Sequence, residues 1–152
     1  MIDKEVTVCF SGHREMKKDF NAEYLYDLIS SYIKKGMKNF LCGMAIGFDM
    51  LVFKILEQLK VKNDIKIIAC VPCKNQSERY NKEQKAEYDK MLKNADEVIV
   101  LSDNYTPYCM MKRNKYMVDN SSVLIVYYRQ KAGGTLNTLK YALENGLKIE
   151  YV

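Results

Sequence analysis

The chain's single histidine, His13, stands beside Arg14 where a short apolar run, VTVCF (6–10), ends at Ser11 and Gly12. These four residue types suit capture of an anion. Ser11 offers a hydroxyl, and Arg14 a planar fork that matches phosphate or carboxylate. Gly12 permits a tight turn or a close approach by a ligand. His13 titrates near working pH, so it reads either as a hydrogen-bonding group or as an acid that polarises a leaving group. A second cluster, CGMAIGFDM (42–50), holds Gly43 and Gly47 with Asp49 just behind them. A glycine turn at the start of a helix presents free N–H groups and the positive helix end to an anion. Asp49 there either complements the helix dipole or accepts hydrogen bonds from a ribose or a base.

Three further stretches carry candidate chemistry. In VPCKNQSERY (71–80), Gln76 and Arg79 add polar reach and Tyr80 a stacking surface. In SDNYTPYCMMKRN (102–114), Tyr105 and Tyr108 flank Pro107 ahead of Arg113 and Asn114, a mixture that can clamp a base. Asp119 and Asn120 finish the helix that carries Arg113 and Asn114, just ahead of the next strand. In YRQKAGGTLNT (128–138), Gly133, Gly134 and Thr135 form another candidate anion nest with a hydroxyl at its rim.

The elements that must position these residues follow from apolar spacing. VTVCF (6–10), FLCG (40–43), IKIIACV (65–71), EVIVL (97–101), SVLIVYY (122–128) and KIEYV (148–152) each read as a strand. Several are nearly continuous hydrophobics, as strands buried on both faces should be. Between them lie five helical patterns. The first spans Leu25, Leu28, Ile29, Tyr32 and Ile33, with Asn21 as cap and Gly36 as stop. The others cover Leu51 to Leu59, residues 81–94, residues 108–120, and Leu136 to Leu143 ending at Gly146. Such alternation predicts an α/β three-layer sandwich, a mainly parallel sheet of about six strands with helices on both faces. Ligands then bind outside the carboxyl ends of the strands, where the candidate residues fall.

Composition narrows the rest. A chain of 152 residues suits one domain over its whole length, with 48% hydrophobic and 28% charged residues. The net charge of +5 is scattered, with no basic arm, so nucleic acid is the less favoured partner. The five cysteines, Cys9, Cys42, Cys70, Cys73 and Cys109, have no framework spacing, which points to a reducing, cytoplasmic setting. Cys70 and Cys73 form a C-x-x-C, read as a strand-end residue and a loop residue. No His or second Cys pair completes a metal set. No apolar run approaches the roughly 18 residues of a membrane span.

Taken in order, SGHR, GMAIGFD, VPC with Gln76, RNKYMVD and GGT resemble the YpsA-like family of the SMF/DprA–LOG (SLOG) superfamily of Rossmann-like proteins. The resemblance implies a pocket for a nucleotide or a derivative of the ADP-ribose or NAD type. This chain departs from the family at Met44, where a second glycine is more usual, and in having no Trp after Gln76. The LOG branch cleaves nucleoside monophosphates through a glutamate. Aligning its Gly-Thr with Gly134-Thr135 puts Thr138 at that glutamate's place, and a hydroxyl cannot do a carboxylate's work.

The leading expectation is therefore binding of a phosphate-ribose ligand, with no metal and no cofactor beyond a nucleotide-type ligand. Ser11, Gly12, Arg14, Gly133, Gly134 and Thr135 would hold phosphates; Asp49, Arg113 and Asn114 would complete the pocket. One alternative is hydrolysis of an N-glycosidic or pyrophosphate bond, with Asp49 or Asp119 as acid or base and His13 at the leaving group. Another is a DNA-associated module of the DprA type, using Lys112, Arg113, Lys115 and Tyr116. A homo-oligomer fits any of these.

Overall fold

The structure is a computed structural model and describes residues 2–152. Six strands alternate with five helices: β1 (Thr7–Gly12), α1 (Ala22–Lys34), β2 (Asn39–Cys42), α2 (Phe48–Lys60), β3 (Lys66–Val71), α3 (Lys82–Asn94), β4 (Glu97–Val100), α4 (Cys109–Asp119), β5 (Val123–Tyr127), α5 (Gly134–Glu144) and β6 (Lys148–Tyr151). Local chemistry marks the boundaries. The Asn21 side chain accepts from the Tyr24 amide at 3.0 Å to start α1. Asn81 and Gln84 form a reciprocal capping box at α3.

The strands form one sheet in the order β4-β3-β2-β1-β5-β6, and every neighbouring pair is parallel. The chain first winds outward from β1 to β4, then crosses back to β5 beside β1. Because parallel crossovers are right-handed, α1, α2 and α3 must cover one face and α4 and α5 the other. The two cores show this division. Val8, Phe10, Phe40, Ile67 and Ile125 pack with Leu25, Phe53 and Met91, whereas Cys9, Leu41, Ile68, Leu124 and Val126 pack with Val118 and Leu139. Successive strand residues thus serve opposite faces, as the pleat requires. All five cysteines are free and buried, and Cys70 lies within β3 while Cys73 lies in the following loop. No described helix is long and apolar enough to cross a membrane.

The reversal of strand order falls between β1 and β5. The loops leaving their carboxyl ends run to opposite faces and leave a crevice between them, the place where doubly wound sheets bind ligands. The candidate site lies there.

Candidate functional site

A cavity of about 570 Å³ opens at that crevice, lined from β1 and the loop after it by Phe10 to Glu15, from the β2–α2 region by Ala45 and Asp49, from α4 by Met110, Arg113 and Asn114, and from the β5–α5 region by Gln130 and residues 132–135. The sequence-predicted residues Ser11, Gly12, His13, Arg14, Asp49, Arg113, Asn114, Gly133, Gly134 and Thr135 therefore meet in one place. Glu15, Met110, Gln130 and Ala132 join them without having been anticipated. Nothing in their types signals a site; only the topology brings them in.

Several residues have roles other than those the sequence suggests. Gly12 makes room for the protein itself. A Cβ there would stand 2.4 Å from ring carbons of Phe48, which stacks on Tyr127 with centroids 5.9 Å apart. Gly47 has φ +84°, and a Cβ would fall 2.1 Å from the Arg14 carbonyl oxygen. The Phe48 amide donates to the His13 carbonyl at 3.1 Å, so the first loop lies over the start of α2. The anion nest read at Gly43 and Gly47 is thus occupied by the protein's own backbone and side chains.

Gly43 is the hub of a buried polar chain. Arg113 Nη1 donates to its carbonyl, as does Gln76 Nε2 at 3.0 Å, and Gln76 Oε1 accepts from Tyr88 at 2.9 Å. A Cβ on Gly43 would be 2.7 Å from Arg113 Nη1 and 2.9 Å from Asp49 Oδ2. Glycine is therefore what lets the guanidinium and the carboxylate approach one strand end. Gln76 supports this hub from behind and does not line the cavity. Met44 occupies the left-handed region at φ 66°, with its side chain buried in the core and its carbonyl accepting from Tyr80 Oη at 3.2 Å. Tyr80 is consequently a strut beside Tyr88 and not a stacking face of the cavity.

Of its two readings, His13 takes the hydrogen-bonding one, directed at the protein's own backbone and not at an anion. Its Nε2 accepts from the amides of Arg129 at 2.8 Å and Gln130 at 3.2 Å. The ring must be neutral at Nε2 to do this, and burial, then Arg129 and Lys17, lower its pKa in agreement. That nitrogen cannot capture an anion or protonate a leaving group while the loop stays seated. His13 instead ties β1 to the loop that leads into α5. His13→Ala should cost about 0.5–1.5 kcal/mol through the two lost hydrogen bonds, since water reaches the amides of these exposed residues. Faster hydrogen exchange at Arg129 and Gln130 would report it; unchanged exchange would contradict this role.

Asp119 is not in the site. It ends α4, is exposed, and accepts from Tyr141 Oη at 2.7 Å. Arg113 and Asn114 lie more than a turn earlier on the same helix, which accounts for the separation. Tyr105 and Tyr108 are likewise outside the cavity lining, 60% and 79% exposed, so no aromatic clamp forms there.

Two features give the cavity its chemical character. At one wall, α5 follows its N-cap residue Gly133, φ +101°, with no side-chain cap and no acid in its first turn. Its free N–H groups and positive end open onto the cavity beside Thr135 and Ser11. At the other wall, Asp49 is buried, with Oδ2 accepting from the Ala45 amide at 3.2 Å and Oδ1 lacking any hydrogen-bond partner. Burial pushes its pKa up to about 6, against the opposing pull of Arg113 and the Ala45 amide. Among the described residues, no group of three or more His, Cys, Asp or Glu could hold a metal ion.

The comparisons with known proteins agree with this architecture. The family model described as the YspA SLOG family (YpsA) matches residues 4–151. The uncharacterised SPbeta prophage-derived protein YoqJ of Bacillus subtilis (strain 168) is 33% identical over 122 residues, covering 72% of this chain and 71% of the relative. The DNA processing protein A (DprA) of Streptococcus pneumoniae superposes with a TM-score of 0.71 at 20% identity, over 99% of this chain and 50% of that one. DprA of Helicobacter pylori, whose structure addresses its single-stranded DNA binding mode, gives 0.70 at 16% identity, over 96% and 64%. At these identities the DprA likeness establishes the shared fold. This chain spans about half the length of the pneumococcal protein.

Proposed function

Because the chain belongs to the YpsA family of SLOG proteins, we propose that it binds a nucleotide or nucleotide derivative in the cavity between β1 and β5. One observation carries this reading. A single cavity joins an uncapped helix N-terminus, suited to phosphate, to a buried carboxylate with an unpaired oxygen, suited to a hydrogen-bond donor. A phosphorylated sugar offers both groups on one small molecule. Ser11 and Thr135 would add hydroxyl donors to the phosphate, and Arg14, exposed at the rim, a charge-assisted one. Arg113 is committed to Gly43 through Nη1, so it braces the cavity floor as well as facing the ligand.

The reading is tested by thermal denaturation against nucleoside mono- and diphosphates, ADP-ribose and NAD. Binding to the folded state alone stabilises it by about 2.7 kcal/mol at a hundredfold excess over Kd. A rise in Tm with at least one of these, saturating at one molecule per chain, is expected. A flat response across the panel would overturn the reading.

A second reading, hydrolysis of an N-glycosidic or pyrophosphate bond, is favoured by one feature. The Asp49 carboxyl, at about 6, is poised for proton transfer near neutrality. Neither Asp119 nor His13 Nε2 is free to assist it. Thr138 is buried and donates to the Gly134 carbonyl at 2.8 Å, so α5 supplies no second acid there. Ligand recovered intact after incubation would eliminate hydrolysis and leave binding.

A further inference from the structure

The carboxylate wall of the cavity carries more information than the presence of an unsatisfied oxygen. Asp49 Oδ1 can only accept while the group is ionised. Close to it stand two donors with capacity left. Arg113 Nη2 touches no acceptor better than the Met110 sulfur at 3.8 Å. Asn114 Oδ1 is taken by Arg113 Nε at 2.7 Å, which fixes the amide so that Nδ2 can only donate, and Nδ2 makes no hydrogen bond among the described residues. Asp49, Arg113 and Asn114 are each more than nine-tenths buried and all three line the cavity, so a ligand seated there meets them directly, Asp49 Oδ1 being the atom that is both buried and unpaired.

A ligand meeting these groups must donate to one and accept from its neighbours within a few ångströms. Hydroxyls do both from a single atom, and a vicinal pair does so twice. A base edge also alternates donor and acceptor, but its ring then needs a flat face to bury against. The lining rings do not supply one: Phe10 is fully buried, and His13 is turned edge-on to Tyr127 with Nε2 engaged by the loop. The position agrees as well. In doubly wound sheets an acid following the strand next to β1 is where the ribose of a dinucleotide is held.

Resting on the cavity reading above, we infer that Asp49, Arg113 and Asn114 form a vicinal-diol subsite, so that the cavity selects ribonucleotides and rejects deoxyribonucleotides. The DNA-processing fold would here serve a ribose-bearing small molecule and not a DNA strand.

Calorimetric titration of the four ribonucleoside 5′-monophosphates and their 2′-deoxy and 3′-deoxy counterparts tests this. Loss of either hydroxyl should weaken binding at least tenfold, since each removes a hydrogen bond to a charged or buried group. In Asp49→Asn, which keeps the size of the side chain, the ribo-to-deoxy ratio should fall towards one. Equal affinity for ribo and both deoxy forms in the unaltered protein would overturn the diol subsite while leaving the cavity reading intact. Discrimination that survives undiminished in Asp49→Asn would remove Asp49 from it. No binding by any monophosphate would overturn the diol subsite, and the cavity reading with it where diphosphates, ADP-ribose and NAD also fail to bind.

Discussion

Gly47→Ala is expected to destabilise the protein by about 2–5 kcal/mol and to displace the first loop. Two costs add. A non-glycine residue in the left-handed region costs about 1–2 kcal/mol, and Gly47 has φ +84°. The new methyl would also lie 2.1 Å from the Arg14 carbonyl oxygen, a backbone atom that cannot swing away. Overpacking of that kind typically adds about 1–3 kcal/mol. Gly36→Ala is the matched control, with φ +104° and nothing within 4 Å of the added Cβ, so it should cost only the conformational part, about 1 kcal/mol. Urea denaturation of both variants measures the difference. Equal losses would show that the Arg14 loop is not pinned on Gly47.

Asp49→Asn is expected to weaken ribonucleotide binding about tenfold, towards that of the deoxy forms, and yet raise stability above pH 7. The folded carboxyl titrates near 6, against an ordinary value of 3.8. Between those values the folded state holds a proton that the unfolded chain has released. Stability from this group is therefore greatest below about pH 4, falls as pH rises to about 7, and is then flat. The accumulated penalty is of order 1–3 kcal/mol at neutral pH. Asparagine keeps the Ala45 amide contact and avoids the charge. His13, whose pKa is lowered, works in the opposite direction, so its contribution is lost as pH falls below about 6.5. The difference between the unaltered protein and Asp49→Asn isolates the Asp49 contribution. That difference should be small at pH 4.5 and should grow to its full value by pH 7.5. A variant less stable at pH 7.5 would mean that Arg113, left without a carboxylate beside it, outweighs the desolvation of Asp49.

The contrast between these two glycine and carboxylate predictions shows what the sequence could reveal. Strands and helices were legible because their signals are local. VTVCF and IKIIACV are apolar on both faces, Asn21 and Asn81 are capping residues, and Gly36 stands where α1 must stop. The all-parallel sheet then follows from strand–helix alternation. The cavity was legible in outline because doubly wound sheets place ligands at strand ends. The individual roles were not. Gly12, Gly43 and Gly47 read as room for a ligand, but their neighbours in space are Phe48, Arg113 and the Arg14 carbonyl. His13 reads as a chemical group, whereas its partners lie 116 and 117 residues away across the β1–β5 junction. Asp119 shares α4 with Arg113, and only helix geometry tells that it falls outside the cavity. The unpaired oxygen of Asp49 is a property of its surroundings that no spacing could disclose.

The central claim is tested most directly by mapping amide chemical shifts of isotope-labelled protein during titration with AMP and ADP-ribose. Saturable shifts are expected at residues 11–14, 45–49 and 130–135, on both sides of the β1–β5 junction. No saturable shifts with either ligand, or shifts confined to the outer face of α4 around Lys112 and Lys115, would contradict the account.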